Sequence, residues 1–162
     1  MLKLLRNSIY IVCFSTMLIS CAGVARMSEF PKSYENLDFE EISKHNYEYD
    51  GKAWNQKTQY EYYLEIPLTD EDILFNALSK ALTLNGYKIK VSDESKNTII
   101  GKRGLRMNEW NSITGVYYRS IGDGYQIFIK NAITQDVTGG WKENRAKKVA
   151  ETLCSDLIRC KK

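Results

Sequence analysis

The chain has 162 residues, 43% of them hydrophobic, with 23 Lys/Arg against 20 Asp/Glu. That length holds one ordinary domain with a real core and excludes a miniprotein that must be stapled by disulfides. The formal charge of +3 excludes a strongly basic chain, because two of the cations, Lys3 and Arg6, belong to a segment that reads as a removable leader.

In chain order, Lys3 and Arg6 form a short basic start. Ile9 to Ser20 is then an uncharged apolar run, closed by a small residue before Cys21. A run of about 12 residues is too short to cross a bilayer as a helix, which needs roughly 20, but it fits the apolar core of a secretory signal. Leu18-Ile19-Ser20-Cys21 resembles the lipobox of bacterial lipoproteins, whose cysteine is lipidated and becomes the first mature residue. The resemblance implies a cleaved signal over residues 1–20, a covalent lipid on Cys21 and a membrane partner through that anchor. Ala22 in place of aspartate implies outer-membrane residence, with the domain in the periplasm or at the cell surface.

Residues 21–57 read as the lipidated N-terminus and a tether. Phe30, Tyr34, Phe39, Tyr47, Tyr49 and Trp54 keep neither helical nor strand period, and Pro31 and Asp50-Gly51 interrupt them. Disordered linkers are usually poor in aromatic residues. The segment therefore either folds back on its own domain, orders on a partner or serves as a spacer.

A single domain is expected over residues 58–162. Tyr60, Tyr62, Leu64 and Ile66 alternate with Glu61, Tyr63 and Glu65, the pattern of a half-buried strand. After Pro67, Thr69-x-x-Asp72 reads as a capping box. Leu74, Ala77, Leu78, Ala81 and Leu82 follow at helical spacing, and Asn85-Gly86 stops the helix. Tyr87, Ile89 and Val91, a polar turn at Asp93–Asn97, and Thr98–Arg103 make a hairpin, with Gly101 or Gly104 as a bulge or strand end. Ser112–Arg119, Gly122-Asp123-Gly124 and the alternating Tyr125, Ile127 and Ile129 make a second hairpin. Gly139-Gly140 breaks the chain before a long amphipathic helix with Ala146, Val149, Ala150, Leu153, Leu157 and Cys160 on one stripe. The order β-α-β-β-β-β-α implies an α+β two-layer sandwich, a mainly antiparallel sheet of about five strands carrying two helices.

That order, with Ile73–Ala81, Asn85-Gly86-Tyr87-Lys88-Ile89, the Asp93–Ile100 return and the closing helix, resembles the helix-grip and TBP-like domains of bacterial envelope lipoproteins, the BAM-complex lipoprotein BamC among them. The resemblance spans about residues 58–160. It implies the same sandwich and an extended N-terminal segment used for docking.

Four cysteines divide by position. Cys13 leaves with the signal and Cys21 takes the lipid, leaving Cys154 and Cys160 as a possible disulfide in an exported setting. In one regular helix, six residues separate them by about 9 Å of rise and roughly 240° of turn. A bond then requires the helix to stop or distort near Leu157, and both states stay open. No C-x-x-C motif exists and the single histidine, His45, is far away, so no metal site is expected.

Catalytic patterns are missing from the sequence. There is no G-x-S-x-G, P-loop or H-E-x-x-H motif, and His45 lies in the tether, so no catalytic residues are assigned and the chain is not read as an enzyme. Glu61 and Glu65 share a strand face and read as solvated, and Asp70, Glu71 and Asp72 as helix-capping. Charge divides along the chain: residues 21–100 carry 9 basic and 14 acidic side chains, residues 101–162 carry 12 and 6. Lys88, Lys90, Lys102, Arg103 and Arg106, with Trp110 and Tyr118 near them in sequence, superficially match a nucleic-acid surface. Export argues against nucleic acid and favours anionic lipid or an acidic protein face.

Candidate partner-binding residues are Trp54, Lys102, Arg103, Arg106 and Trp141. The expected function is a non-catalytic one, as an accessory or structural subunit of an outer-membrane assembly, with an envelope protein complex as partner and no cofactor beyond the lipid. A lipid- or glycolipid-binding module is the alternative, and an inhibitor or immunity-type lipoprotein a minor one.

Overall fold

Strict two-residue alternation of apolar side chains builds a sheet with two different faces. The computed structural model describes residues 25–45, 57–67, 70–105, 109–135, 144–157 and 160. Five strands, β1 (Lys57–Pro67), β2 (Lys88–Asp93), β3 (Thr98–Arg103), β4 (Glu109–Ile121) and β5 (Gly124–Gln135), form one antiparallel sheet in the order β1-β5-β4-β3-β2. The chain is thus α+β, with two long helices on one face of that sheet.

A six-residue helix, α1 (Phe39–Lys44), precedes the sheet; the long helices are α2 (Glu71–Leu84) and α3 (Arg145–Leu157). The cap of α2 is Asp70, whose carboxylate accepts from the N–H groups of Asp72 and Ile73 at 2.9 and 3.3 Å. The helix therefore starts one residue later than a Thr69 cap would place it, and Thr69 itself lies outside the described residues. A carboxylate at this position satisfies two orphan donors and complements the helix dipole. At the other end Gly86 takes φ 83°, and the Tyr87 N–H donates to Leu82 O at 3.1 Å, which closes the helix as a Schellman-type turn.

Leu74, Leu78, Ala81 and Leu82 of α2, with Ala146, Val149, Ala150 and Leu153 of α3, pack on Leu64, Ile66, Ile99, Val116, Ile127 and Ile129 of the sheet. Lys80 Nζ meets Asp156 Oδ1 at 2.6 Å, and Asn85 Nδ2 donates to Thr152 Oγ1 at 2.9 Å, tying the two helices together. Of the two roles open to Gly101 and Gly104, Gly104 follows the end of β3 at Arg103, and the bulge lies in β2, where the register shifts between Ile89 and Val91. Gly101 matters for space: a Cβ there would stand 2.8 Å from Tyr87 Cβ.

The opposite face is also covered. Residues 25–45 run along it as a strap, with Ala25 and Phe30 packed on Ile100, Ile113 and Ala132, and Phe39 packed on Tyr117 and Phe128. The Ala25 carbonyl accepts from Asn111 Nδ2 at 3.3 Å, the Pro31 carbonyl accepts from the Tyr117 hydroxyl at 2.9 Å, and Arg119 stands 5.1 Å over the Phe39 ring. These three contacts follow β4 from its start to its end. Residues 25–45 are therefore not a free tether; of the alternatives for 21–57, these residues fold back. Gly115 makes room for the Tyr117 ring that holds the strap, since a Cβ there would fall 2.6 Å from the Tyr117 hydroxyl oxygen.

Cys154 and Cys160 form a disulfide with Cα atoms 5.4 Å apart. α3 ends at Leu157, so Cys160 does not continue the helical stripe. That distance is within bridging range, whereas a regular helix continued to Cys160 would set the two Cα atoms about 9 Å apart along its axis.

Candidate partner-facing surface

Strand alternation separates two residues that the sequence grouped. Lys102 points to the strap side of the sheet and is exposed, whereas Arg103 points to the helix side and is 8% exposed. The Arg103 guanidinium lies 5.5 Å from the Tyr87 ring centroid, and its Nη1 donates to Asn85 O at 3.2 Å. Arg103 is therefore a buried contact between β3 and the end of α2, not a surface group for a partner. Tyr118, near the basic residues in sequence, is likewise fully buried. Cys21, Trp54, Arg106 and Trp141 lie outside the described residues, as does the side chain of Trp110.

Beside Arg103 sits a polar cluster in the helix-facing core. Asn131 Nδ2 lies 3.1 Å from Tyr87 Oη, 3.0 Å from Ser112 Oγ, 2.7 Å from Thr114 Oγ1 and 3.1 Å from Ile113 O. Tyr87 and Ser112 also join through their hydroxyls at 2.9 Å. Three of these partners are hydroxyls that donate as well as accept, but the Ile113 carbonyl only accepts, and this sets the amide nitrogen on that side. Asn131, Ser112 and Thr114 are fully buried. The cluster holds β4, β5 and the β2 entry together.

On the strap side, at the end where α1 docks, a second network forms. The Tyr63 hydroxyl donates to Glu65 Oε1 at 2.5 Å, Gln126 Nε2 donates to the same oxygen at 3.2 Å, and Arg119 Nε donates to Gln126 Oε1 at 2.7 Å. Burial first, then the bond to Glu65, holds the Tyr63 hydroxyl well above the usual tyrosine range. Glu61 pairs with Lys130 at 3.5 Å. Both glutamates, expected to be solvated, are engaged in the face. Glu71, assigned only to capping, also accepts from the Tyr118 hydroxyl at 3.3 Å.

Among the described residues, an exposed basic surface lies at the other end of the strap. Lys88 and Lys102 are directly opposite one another on β2 and β3, and Lys102 is opposite Ile113, which belongs to the cluster that receives Ala25. Both lysines are exposed, Lys90 of β2 is exposed, and Leu105 just beyond β3 is 75% exposed. Like charges held directly across a strand pair repel, so folding alone gives no reason for this pairing. The sequence pointed to Lys102 and offered fold-back of the N-terminal segment as one alternative, but it missed Leu105 and the strap's contacts, because neither has a periodic signal.

Among the described residues, no group of three or more His, Cys, Asp or Glu is placed to hold a metal ion, and no helix is long and apolar enough to cross a membrane. Compared with known proteins, the sequence matches no family model and no curated protein.

Proposed function

We propose that this chain is a bacterial lipoprotein, anchored through lipid on Cys21 to the outer membrane, that serves a non-catalytic role as an accessory or structural subunit of a cell-envelope assembly. The observation that carries the reading is the junction between anchor and domain. The lipobox-like Leu18–Cys21 stands four residues before Ala25, and Ala25 is already packed on the sheet. A lipid at Cys21 would hold the body at the membrane with little slack.

The sheet has helices on one face and the strap on the other, which leaves edges and ends for a partner. Filling of the space between helices and sheet supports docking over the alternative of a lipid gripped there. Leu64, Leu74, Leu78, Leu82, Ile99, Val116, Ile127, Ile129 and Leu153 are each no more than 1% exposed in that layer, and a lipid would have to displace them. The test is crosslinking and affinity purification of the full-length chain from membranes of its own host. A defined envelope complex at reproducible ratio is the expected result. Recovery of the chain alone, or with bound lipid only, would overturn the assembly reading.

A further inference from the structure

We infer that the end of the sheet bearing Lys88, Lys102 and Leu105 is a membrane-contacting surface that fits the headgroups of an anionic phospholipid bilayer. The inference rests on the lipid anchor at Cys21 proposed above and adds the orientation of the body upon it.

The chain's path fixes which end is near the anchor. Cys21 and Ala25 are four peptide units apart, a span of at most about 14 Å. Ala25 is 3% exposed, is held by Asn111 and belongs to the cluster with Ile113 and Ile100. Lys102 is one strand away from Ile113 and Lys88 two strands away, about 5 and 10 Å at ordinary strand spacing. A lysine side chain bridges the remaining gap to a headgroup layer. The far end of the strap, where Phe39 meets Arg119, lies beyond the reach of so short a link.

The chemistry of this end agrees with a bilayer. Two ammonium groups held against each other are stabilised when anions lie over both, and each cation near an anionic surface strengthens partition about fivefold. Exposed Leu105 adds an apolar side chain that can enter the interface, and exposed Arg26, next to Ala25, adds a third cation.

The experiment uses the full-length chain, processed by a bacterial host, purified from membranes and placed in vesicles. Hydrogen exchange of residues 88–90 and 102–105 is compared on phosphatidylglycerol-rich and pure phosphatidylcholine vesicles. Lys88→Glu is the informative variant, because it replaces a repulsive cross-strand pair by an attractive one. Its thermal stability should equal or exceed the parent's while membrane contact weakens.

The expected result is exchange slowed about fivefold or more on the anionic vesicles alone. That slowing should be lost in Lys88→Glu although the variant still floats with both vesicle types. Flotation without slowing at these residues would overturn the inference and leave the anchor standing. A chain without lipid that fails to float on phosphatidylcholine would sink the anchor reading. The anionic vesicles then decide separately: binding lost in Lys88→Glu supports the surface, and no binding overturns it.

Discussion

Asn131 shows how one buried residue can organise a fold. Its amide lies among Tyr87, Ser112 and Thr114 in a region with no access to water. Asn131→Leu would leave buried hydroxyls without their partner, at about 1–3 kcal/mol for each group stranded. Urea unfolding should show a loss of roughly 2 kcal/mol or more, and an unchanged midpoint would contradict the structural role given to the cluster. The tyrosines set a second expectation. Burial is the main cause that raises the hydroxyls of Tyr63, Tyr117 and Tyr118 above their ordinary value, and Glu65 and Glu71 add to it for Tyr63 and Tyr118. The folded chain then holds these phenol protons more tightly than the unfolded chain. Their stabilising contribution is complete below the ordinary value, about 10, and is lost as pH rises beyond it. Phenolate absorbance should rise in two stages, with the buried group ionising as the chain unfolds; a single stage at the ordinary value would contradict the burial.

At the scale of elements, the strap and the disulfide are the two features that act on the fold from outside the helix–sheet core. Phe39 is 1% exposed between Tyr117 and Phe128, so Phe39→Ala should cost about 3 kcal/mol and make residues 25–45 more sensitive to protease than the sheet. The bond between Cys154 and Cys160 closes a short loop, for which chain entropy gives about 2 kcal/mol. Replacing both cysteines by serine should lower stability by that amount, and no change would show that the tail is held by other means. The strands and long helices were legible because each repeats its period several times: Tyr60 to Ile66 and Tyr125 to Ile129 at two residues, Leu74 to Leu82 at helical spacing. Fold-back of the N-terminal segment was one of the alternatives its aromatic residues offered, but its path was not legible. Its anchors Ala25, Phe30 and Phe39 contact the sheet at irregular intervals set by the path along β4. Arg103 was misplaced for a related reason, since a run of basic residues hides the alternation that sends Lys102 outward and Arg103 inward. The disulfide turned on where α3 ends, a boundary that apolar spacing alone continued to Cys160.

For the whole molecule, the strap covers one face of the sheet and, under the proposed anchoring, is also the link to the membrane. Removing residues 22–45 should expose Ile100, Ile113, Tyr117 and Phe128 together, and a contiguous apolar face of that kind promotes association. Increased dye binding and self-association are expected; a monomer of unchanged stability would contradict the strap's role. The acidic half of the chain also has a local account in part, as Asp38 caps α1 through the N–H groups of Glu40 and Glu41 at 3.0 Å, and both glutamates sit in its first turn. Lys88 and Lys102, by contrast, face outward at the end of the sheet that receives Ala25. The proposed function requires this body to be held at a membrane by lipid on Cys21. Intact mass spectrometry of the chain purified from host membranes is the decisive measurement. The expected species is a mature chain beginning at Cys21 and heavier than its polypeptide by a lipid modification with two or more acyl chains. A membrane-derived chain with an unmodified cysteine, or one that still begins at Met1, would contradict it.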